Sequence, residues 1–455
     1  MKRLSVLLPI VLAMGILVSV VPMSMAQKCS SHRSSILTKA VIESSDRVTK
    51  LPGYGCVTDI ELAGHLPITS QAKASPSSLF YWFVESRTHA PNIPLVLWLN
   101  GGPGSSSLYG FFFENGPYVV KDDLTLEPRQ ISWTEKAHYL VIDQPAGVGF
   151  SYGNKGSFAN ESEAMDQLYE ALRHFYDRYP ELLSSPLYIA GQSYAGKYIP
   201  QLAVRILEKN KVEGAIPLKG ILIGDGFVNP LVQQASDADF AYSHGLVDQN
   251  IRQKVVELYQ QCADEIKKHK PSSFLANTLC IKMQELIKQS SGCSTLVNIS
   301  KCKELDNHWM ITYLNQPSVR AALHVDPRVK PYSTFDQNVG DQLVVGEQDS
   351  VAELYPQLLN NNIQVMIYNG LLDGTDSNFM GTNLWLSALP WSKEHQFTEA
   401  PTCIWRVNND IAGFVRSSSG LTQVKIHDAG HIAPLDQPGF MLDLLDRFIY
   451  SKPFC

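Results

Sequence analysis

A serine between small residues, with an acid and then a histidine further along the chain, has the makings of an acyl-transfer centre. Leu187-Tyr-Ile-Ala-Gly-Gln-Ser-Tyr-Ala-Gly196 supplies the serine. An apolar run enters Gly191-Gln192-Ser193-Tyr194-Ala195, and a helical pattern begins soon after, which is the layout of a nucleophile elbow. Such a turn lifts the hydroxyl at the carboxyl edge of a sheet and needs small neighbours so that strand and helix can approach. A hydroxyl attacks poorly until a base takes its proton, and the base needs a third group to orient it. On this kind of scaffold the chain order is serine, acid, histidine. The apolar run 363–368 ends in Asn369-Gly-Leu-Leu-Asp373, and 424–426 leads into His427-Asp-Ala-Gly-His431. The expected roles are nucleophile for Ser193, orienting acid for Asp373 and base for His431. His427 rivals His431 but sits at the strand end itself. Asp376 and Asp436 rival Asp373, but the first is further from its strand and the second precedes Gln437-Pro438.

Acyl transfer also needs donors for the oxyanion. The N–H after the nucleophile, that of Tyr194, is one. A glycine-rich loop, Trp98-Leu-Asn100-Gly101-Gly102-Pro103-Gly104, follows the apolar run 95–99 and can turn further N–H groups toward a ligand. Its spacing is not that of a phosphate-binding loop, and no lysine follows.

These residues need a sheet to hold them. Runs 95–99, 139–142, 187–190, 221–223, 363–368 and 424–426 read as buried parallel strands. Residues 161–179, with Met165, Leu168, Leu172, Phe175 and Tyr176 near a 3.6 period, read as a helix, as do 201–209 and 440–450. The alternation predicts an α/β fold, a mostly parallel sheet with helices on both faces. Residues 231–345 break the rhythm with a charged amphipathic helix at 251–270 and a cysteine cluster. They read as an insertion over the sheet between core segments 27–230 and 346–455; an independent second domain is the alternative.

Hydrophobic residues are 44% and charged residues 18% of the 455, which excludes a disordered chain. The net charge of -6 and the lack of basic runs argue against nucleic acid. Lys2, Arg3, the apolar stretch 4–21 and Ser24-Met-Ala26 read as a signal peptide, 1–26, cleaved before Gln27; a retained anchor is the alternative. No later stretch is long and apolar enough to span a membrane. Export implies an oxidising compartment. Cys262, Cys280, Cys293 and Cys302 lack zinc-site spacing, so disulfides are expected in one of three pairings. Asn160 and Asn298 begin glycosylation sequons.

The chain resembles the serine carboxypeptidase family, which includes cathepsin A and the yeast and wheat vacuolar carboxypeptidases. The likeness runs from Leu51-Pro-Gly53 to Phe448. It rests on Leu79-Phe-Tyr-Trp-Phe-Val-Glu-Ser86, the 98–107 loop, Phe113-Glu-Asn-Gly-Pro-Tyr118, Asp143-Gln-Pro-Ala-Gly-Val-Gly-Phe-Ser-Tyr152, the elbow, Gly370-Leu-Leu-Asp373 and Gly430-His-Ile-Ala-Pro434. The resemblance implies an α/β-hydrolase fold with a disulfide-pinned cap. It also implies removal of single residues from peptide C-termini at acidic pH, without metal or cofactor. It carries over Ser193, Asp373 and His431 as triad, and Gly102 and Tyr194 as oxyanion donors. Asn100, Gly101 and Glu114 become the grip on the substrate's terminal carboxylate. A second glutamate normally precedes the nucleophile, and here Gln192 stands in its place. Ser105 replaces a cysteine that relatives tie to the insertion, leaving Cys56 as a candidate tether. Asp225 stands where relatives often carry asparagine. An acyltransferase or a protective binding partner on the same scaffold are the alternatives. Destinations consistent with export are the medium, a vacuole or lysosome, or a bacterial periplasm. Monomer and homodimer both stay open.

Overall fold

The computed structural model describes Val41 and residues 44–455, except 70–75, 89, 91 and 154–156. The leader 1–26, its cleavage site and Cys29 lie outside the described residues. Ten strands join in one sheet: β1 (Glu61–Ile68), β2 (Ser77–Val84), β3 (Leu95–Leu99), β4 (His138–Ile142), β5 (Leu187–Gln192), β6 (Leu218–Gly224), β7 (Gln364–Gly370), β8 (Cys403–Val407), β9 (Asp410–Ser418) and β10 (Leu421–Ile426). Their spatial order is β8-β9-β10-β7-β6-β5-β3-β4-β2-β1. The six from β10 to β4 are mutually parallel. They are the six that the apolar runs predicted. The outer strands β1, β2, β8 and β9 pair antiparallel and were not predicted. Pro67 lies in β1, the edge strand, where a missing N–H leaves no gap in the ladder.

Side-chain alternation along the strands divides the core. Leu95, Leu97 and Leu99 of β3 face one apolar cluster, and Val96 and Trp98 face the other. Helices α1 (Glu161–Arg178) and α2 (Ala195–Lys209) fill the first cluster with Leu168, Leu172, Phe175, Ile199 and Leu202. The terminal helix Pro438–Ile449 fills the second with Leu444 and Phe448. Helices thus cover both faces, as expected. Asn160 caps α1, its side chain accepting from Glu163 N at 3.1 Å.

The chain adds no strand to this sheet between Gly224 and Gln364 among the described residues. That interval includes the helices Gln249–Lys268 and Phe274–Ser291, joined by the Cys262–Cys280 disulfide over a cluster of their own. Cys293 pairs with Cys302 and Cys403 with Cys455, and Cys56 is also disulfide-bonded. The Ser105 region is tied to the interval by backbone hydrogen bonds: Asp336 N donates to Gly104 O and Ser106 N to Thr334 O, both at 2.9 Å. Asn298 is buried and its amide donates to Asp436, so of the two sequons only Asn160 is exposed. Among the described residues no helix is long and apolar enough to cross a membrane.

Buried acids give the fold a pH signature. Burial pushes Glu61 and Glu114 up to about 7, and Asp143 up to about 6. Between their unfolded values near 4 and these folded values, the native state binds more protons than the unfolded chain. Stability therefore falls as pH rises through that window. Burial holds His65 down at about 4, which opposes the trend below its unfolded value of 6.5. Three acids outweigh one histidine, so Tm is expected to drop by several degrees from pH 5 to 7. Thermal scans across this range check it, and Glu61→Gln should flatten the slope. A Tm that climbs over the interval contradicts the assignment.

Candidate active site

In a parallel sheet, ligands bind beyond the carboxyl ends of the strands where the winding direction reverses. Here β4 lies on one side of β3 while β5, β6 and β7 follow on the other, so the reversal falls between β3 and β5. The two loops leaving that point carry Asn100, Gly101 and Gly102 on one side and Ser193 on the other.

Ser193 sits between β5 and α2 with φ of 62°, the left-handed conformation that a sharp strand-to-helix turn imposes. Its N–H donates to Gly224 O at 3.0 Å. Its carbonyl accepts from Gly196 N at 2.9 Å and Phe227 N at 3.0 Å. A Cβ at Gly191 would strike Leu99 O, and one at Gly196 would come within 2.9 Å of Phe227 N. These contacts explain the small residues on either side of the serine. The neighbouring backbone of Gly101 is packed against the elbow, since a Cβ there would strike Tyr194 N. Among the described residues, the N–H groups of Gly101, Gly102 and Tyr194 have no acceptor. Gly101 and Tyr194 are buried, and buried donors without an acceptor are rare away from ligand sites, whereas Gly102 is exposed.

Asp373 and His431 meet across two loops. His431 Nδ1 lies 3.0 Å from Asp373 Oδ2, with the acid fully buried and the histidine side chain 12% exposed. Burial alone would lower the His431 pKa, but Asp373, with smaller contributions from Asp376 and Glu114, turns the net shift upward. The other oxygen, Asp373 Oδ1, accepts from Thr375 N at 2.9 Å. The Cys293–Cys302 loop fixes both partners: His431 N donates to Val297 O, Ile299 N to Leu372 O and Gly374 N to Leu296 O. Of the rivals, His427 is exposed and paired with Asp428. Asp436 accepts from Gly430 N and Asn298, clamping the histidine loop. Asp376 lines a cavity of about 290 Å³ that also borders Thr375, Leu296 and Glu347.

The third group is buried beside the serine. Asn100 Oδ1 accepts from Trp98 Nε1 at 2.9 Å and Gly110 N at 3.0 Å, which fixes its Nδ2 as the outward donor. That Nδ2 reaches Glu114 Oε1 at 2.9 Å, and Gln192 Nε2 reaches the same oxygen at 3.1 Å. Glu114 arrives on the π-helical turn Gly110–Glu114, whose extra residue per turn is typical of functional positions. Burial raises it to about 7, although the Asn100 bond and the nearby His431 pull it down. Glu114 Oε2 and Gln192 Oε1 are buried without partners.

A family model described as serine carboxypeptidase matches residues 53–451. The chain belongs to the serine carboxypeptidase family. It is 37% identical over 393 residues to the probable serine carboxypeptidase CPVL of Dictyostelium discoideum, covering 83% of this chain and 77% of that protein. It is 34% identical to the venom serine carboxypeptidase of Apis mellifera, covering 86% and 85% respectively. The crystal structure of a prohormone-processing carboxypeptidase from Saccharomyces cerevisiae superposes with a TM-score of 0.77 at 25% identity, covering 86% of this chain and 92% of that one. The fold is therefore the α/β-hydrolase type expected for the family.

Sequence reasoning missed the supports. Thr375 has a local signal, since an aspartate often accepts from the N–H two residues on. Asp143 accepts from Ser106 Oγ, Ser107 N and Phe150 N and so holds the glycine-rich loop's far end. Nothing local marks Asp225 as a neighbour of Asp373 and His431, yet their ligand atoms lie within 4.8 Å of one another.

Proposed function

We propose that the chain is a carboxypeptidase that releases single residues from peptide C-termini through Ser193, His431 and Asp373. The buried cluster of Asn100, Glu114 and Gln192 beside the serine carries this reading, because an endopeptidase has no use for it. A terminal carboxylate would accept from the second Asn100 Nδ2 proton, from Gly101 N–H and from Glu114 Oε2 when protonated. That places the last peptide bond at Ser193. His431 takes the hydroxyl proton as Ser193 Oγ attacks, and Asp373 holds the imidazolium that results. The oxyanion accepts from Gly102 and Tyr194 N–H. His431 then protonates the leaving amine and activates the water that cleaves the acyl-enzyme.

Supporting features extend the reading. Residues 231–345 act as a cap whose disulfide loop braces the acid and histidine loops. The leader 1–26 directs export to the medium or a vacuole-like compartment.

The test offers an N-blocked dipeptide as free acid and as amide. The expected result is kcat/KM at least about a hundredfold higher for the acid, the scale of two or three charge-assisted hydrogen bonds. Equal rates would remove the exopeptidase reading, and ester cleavage with transfer to an alcohol would favour an acyltransferase.

Gln192 sets the pH range. It donates at any pH, so only the ionisation of Glu114, at about 7, weakens the grip as pH rises. In Gln192→Glu two adjacent carboxyls compete for protons, and the first is lost at lower pH. KM of that variant is expected to begin rising about one pH unit earlier than that of the wild type. Superimposable KM–pH curves would sink this role for Gln192.

A further inference from the structure

Asp225 lies at the end of β6, between the strand that delivers Ser193 and the strand that delivers Asp373. Ser193 N donates to the carbonyl of the preceding residue, Gly224, and Asp225 N donates to Tyr368 O at 2.8 Å. Its φ of 44° is a conformation that aspartate and asparagine tolerate better than most residues. The side chain is fully buried. Oδ1 accepts from Gly370 N at 3.0 Å and Asn369 Nδ2 at 3.3 Å. Oδ2 is buried with no donor pointing at it. Yet the Asp225 and Asp373 carboxyls face each other, with oxygens within 4.8 Å.

Two carboxylates at that separation, both shut off from water, cannot both be ionised. Among the described residues no lysine or arginine pairs with either. The titratable groups around them are His431, Asp376, Asp237 and Tyr368, with Glu114 facing His431, and burial pushes Asp237 well above the ordinary carboxylate range. Burial keeps the Tyr368 phenol neutral and lifts Asp376 to about 6, so neither supplies positive charge. His431 is already held by Asp373 Oδ2. Asp373 Oδ1 already accepts a backbone N–H, and Asp225 Oδ1 already accepts two donors. The unpartnered Asp225 Oδ2 is thus the oxygen with room for a proton.

We propose that Asp225 is a positioning residue, a neutral carboxylic acid that donates a hydrogen bond to Asp373 and leaves the pair with one negative charge for His431. Burial and the adjacent Asp373 both push Asp225 well above the ordinary carboxylate range, in the direction this requires. The donated bond spreads the Asp373 charge and weakens its hold on the imidazolium. His431 therefore loses its proton at lower pH than it would beside a bare carboxylate. A chain working in acidic surroundings gains a base that is free earlier.

The proposal rests on Asp373 and His431 acting as proposed above, and its test separates the two. Asp225→Asn keeps a neutral donor, so the acid limb of its kcat/KM profile is expected to coincide with the wild type. Asp225→Val removes the donor. Its acid limb should move up by about half a pH unit or more, with kcat down about tenfold and KM unchanged, the scale of one hydrogen bond to a charged group. Were Asp225 ionised, Asp225→Asn would remove a charge and move the acid limb down, and that result overturns the proposal. So would an Asp225→Val profile that matches the wild type. Infrared spectra need no activity and cover the case in which Asp225→Val fails to fold. The wild type at neutral pH should show a protonated-carboxyl stretch that Asp225→Asn lacks, and an unchanged spectrum overturns the proposal even where the triad itself stands.

Discussion

Ser193→Ala is expected to lower kcat by about a millionfold, the scale of removing a nucleophile whose partners act only through it. The fold should not notice. The left-handed backbone at this position is as unfavourable for serine as for alanine, so the substitution adds no strain. The bonds that shape the elbow, to Gly224, Gly196 and Phe227, are all made by the backbone. The proposed carboxylate grip of Asn100, Gly101 and Glu114 is also untouched. The variant should therefore bind a free-acid peptide about as tightly as the wild type while releasing nothing from it. Isothermal titration with the peptide and residue-release kinetics on the same preparation check both halves. Release at wild-type rate would remove Ser193 from the mechanism. Loss of binding along with loss of release would mean that the hydroxyl, rather than the asparagine loop, holds the substrate.

What the sequence conveys about the fold depends on where each strand lies. The six central strands are buried on both faces, so each reads as an unbroken apolar run. The outer strand β1 holds Glu61, Gly64, His65 and Pro67, and β9 ends in Arg416 and serines. Such segments become strands because the next strand along the chain, β2 or β10, offers a ladder, and that pairing leaves no unbroken apolar run to read. Helix α2 illustrates a local misreading. Pro200 suggests that the helix starts after it, at 201, whereas the helix begins at Ala195 and carries the proline inside. The helix starts early because the elbow needs a rigid element immediately behind Ser193.

The site divides in the same way. Ser193, Asp373 and His431 follow strand ends, which makes them visible as candidates. The sequence favours His431 over His427 by its place on the loop beyond the strand end, and His431 Nδ1 lies 3.0 Å from Asp373 Oδ2. The roles of Glu114 and Gln192 come from resemblance alone, because nothing within either segment says that the π-helical turn reaches the elbow. Asp225 is the clearest case. It is one residue past β6, Asp373 is three past β7, and only the parallel pairing of those strands brings the two carboxyls together. A buried pair of acids leaves no periodicity or motif in a chain.

Asp373→Asn should cost about ten-thousandfold in kcat, the scale seen when the acid of such a triad becomes an amide. The reason lies in which atoms are already committed. Thr375 N–H is a backbone donor fixed on Oδ1 at 2.9 Å. An amide must present its single oxygen there, because its NH₂ group cannot face an N–H. The amide nitrogen is then left facing His431 Nδ1. It donates to that ring nitrogen and moves the remaining imidazole proton to Nε2, the atom that has to accept from Ser193. The base is present but in the wrong tautomer. Stability should move the other way, since the substitution removes one of two buried carboxyls, Asp225 and Asp373, that compete for a single proton. The variant is therefore expected to melt at or above the wild-type temperature while nearly inactive. Calorimetry and residue-release kinetics on one sample decide it. A marked loss of Tm would show that Asp373 serves mainly to hold the loop, and retention of more than about a tenth of kcat would transfer the orienting role to Asp225 or Asp376.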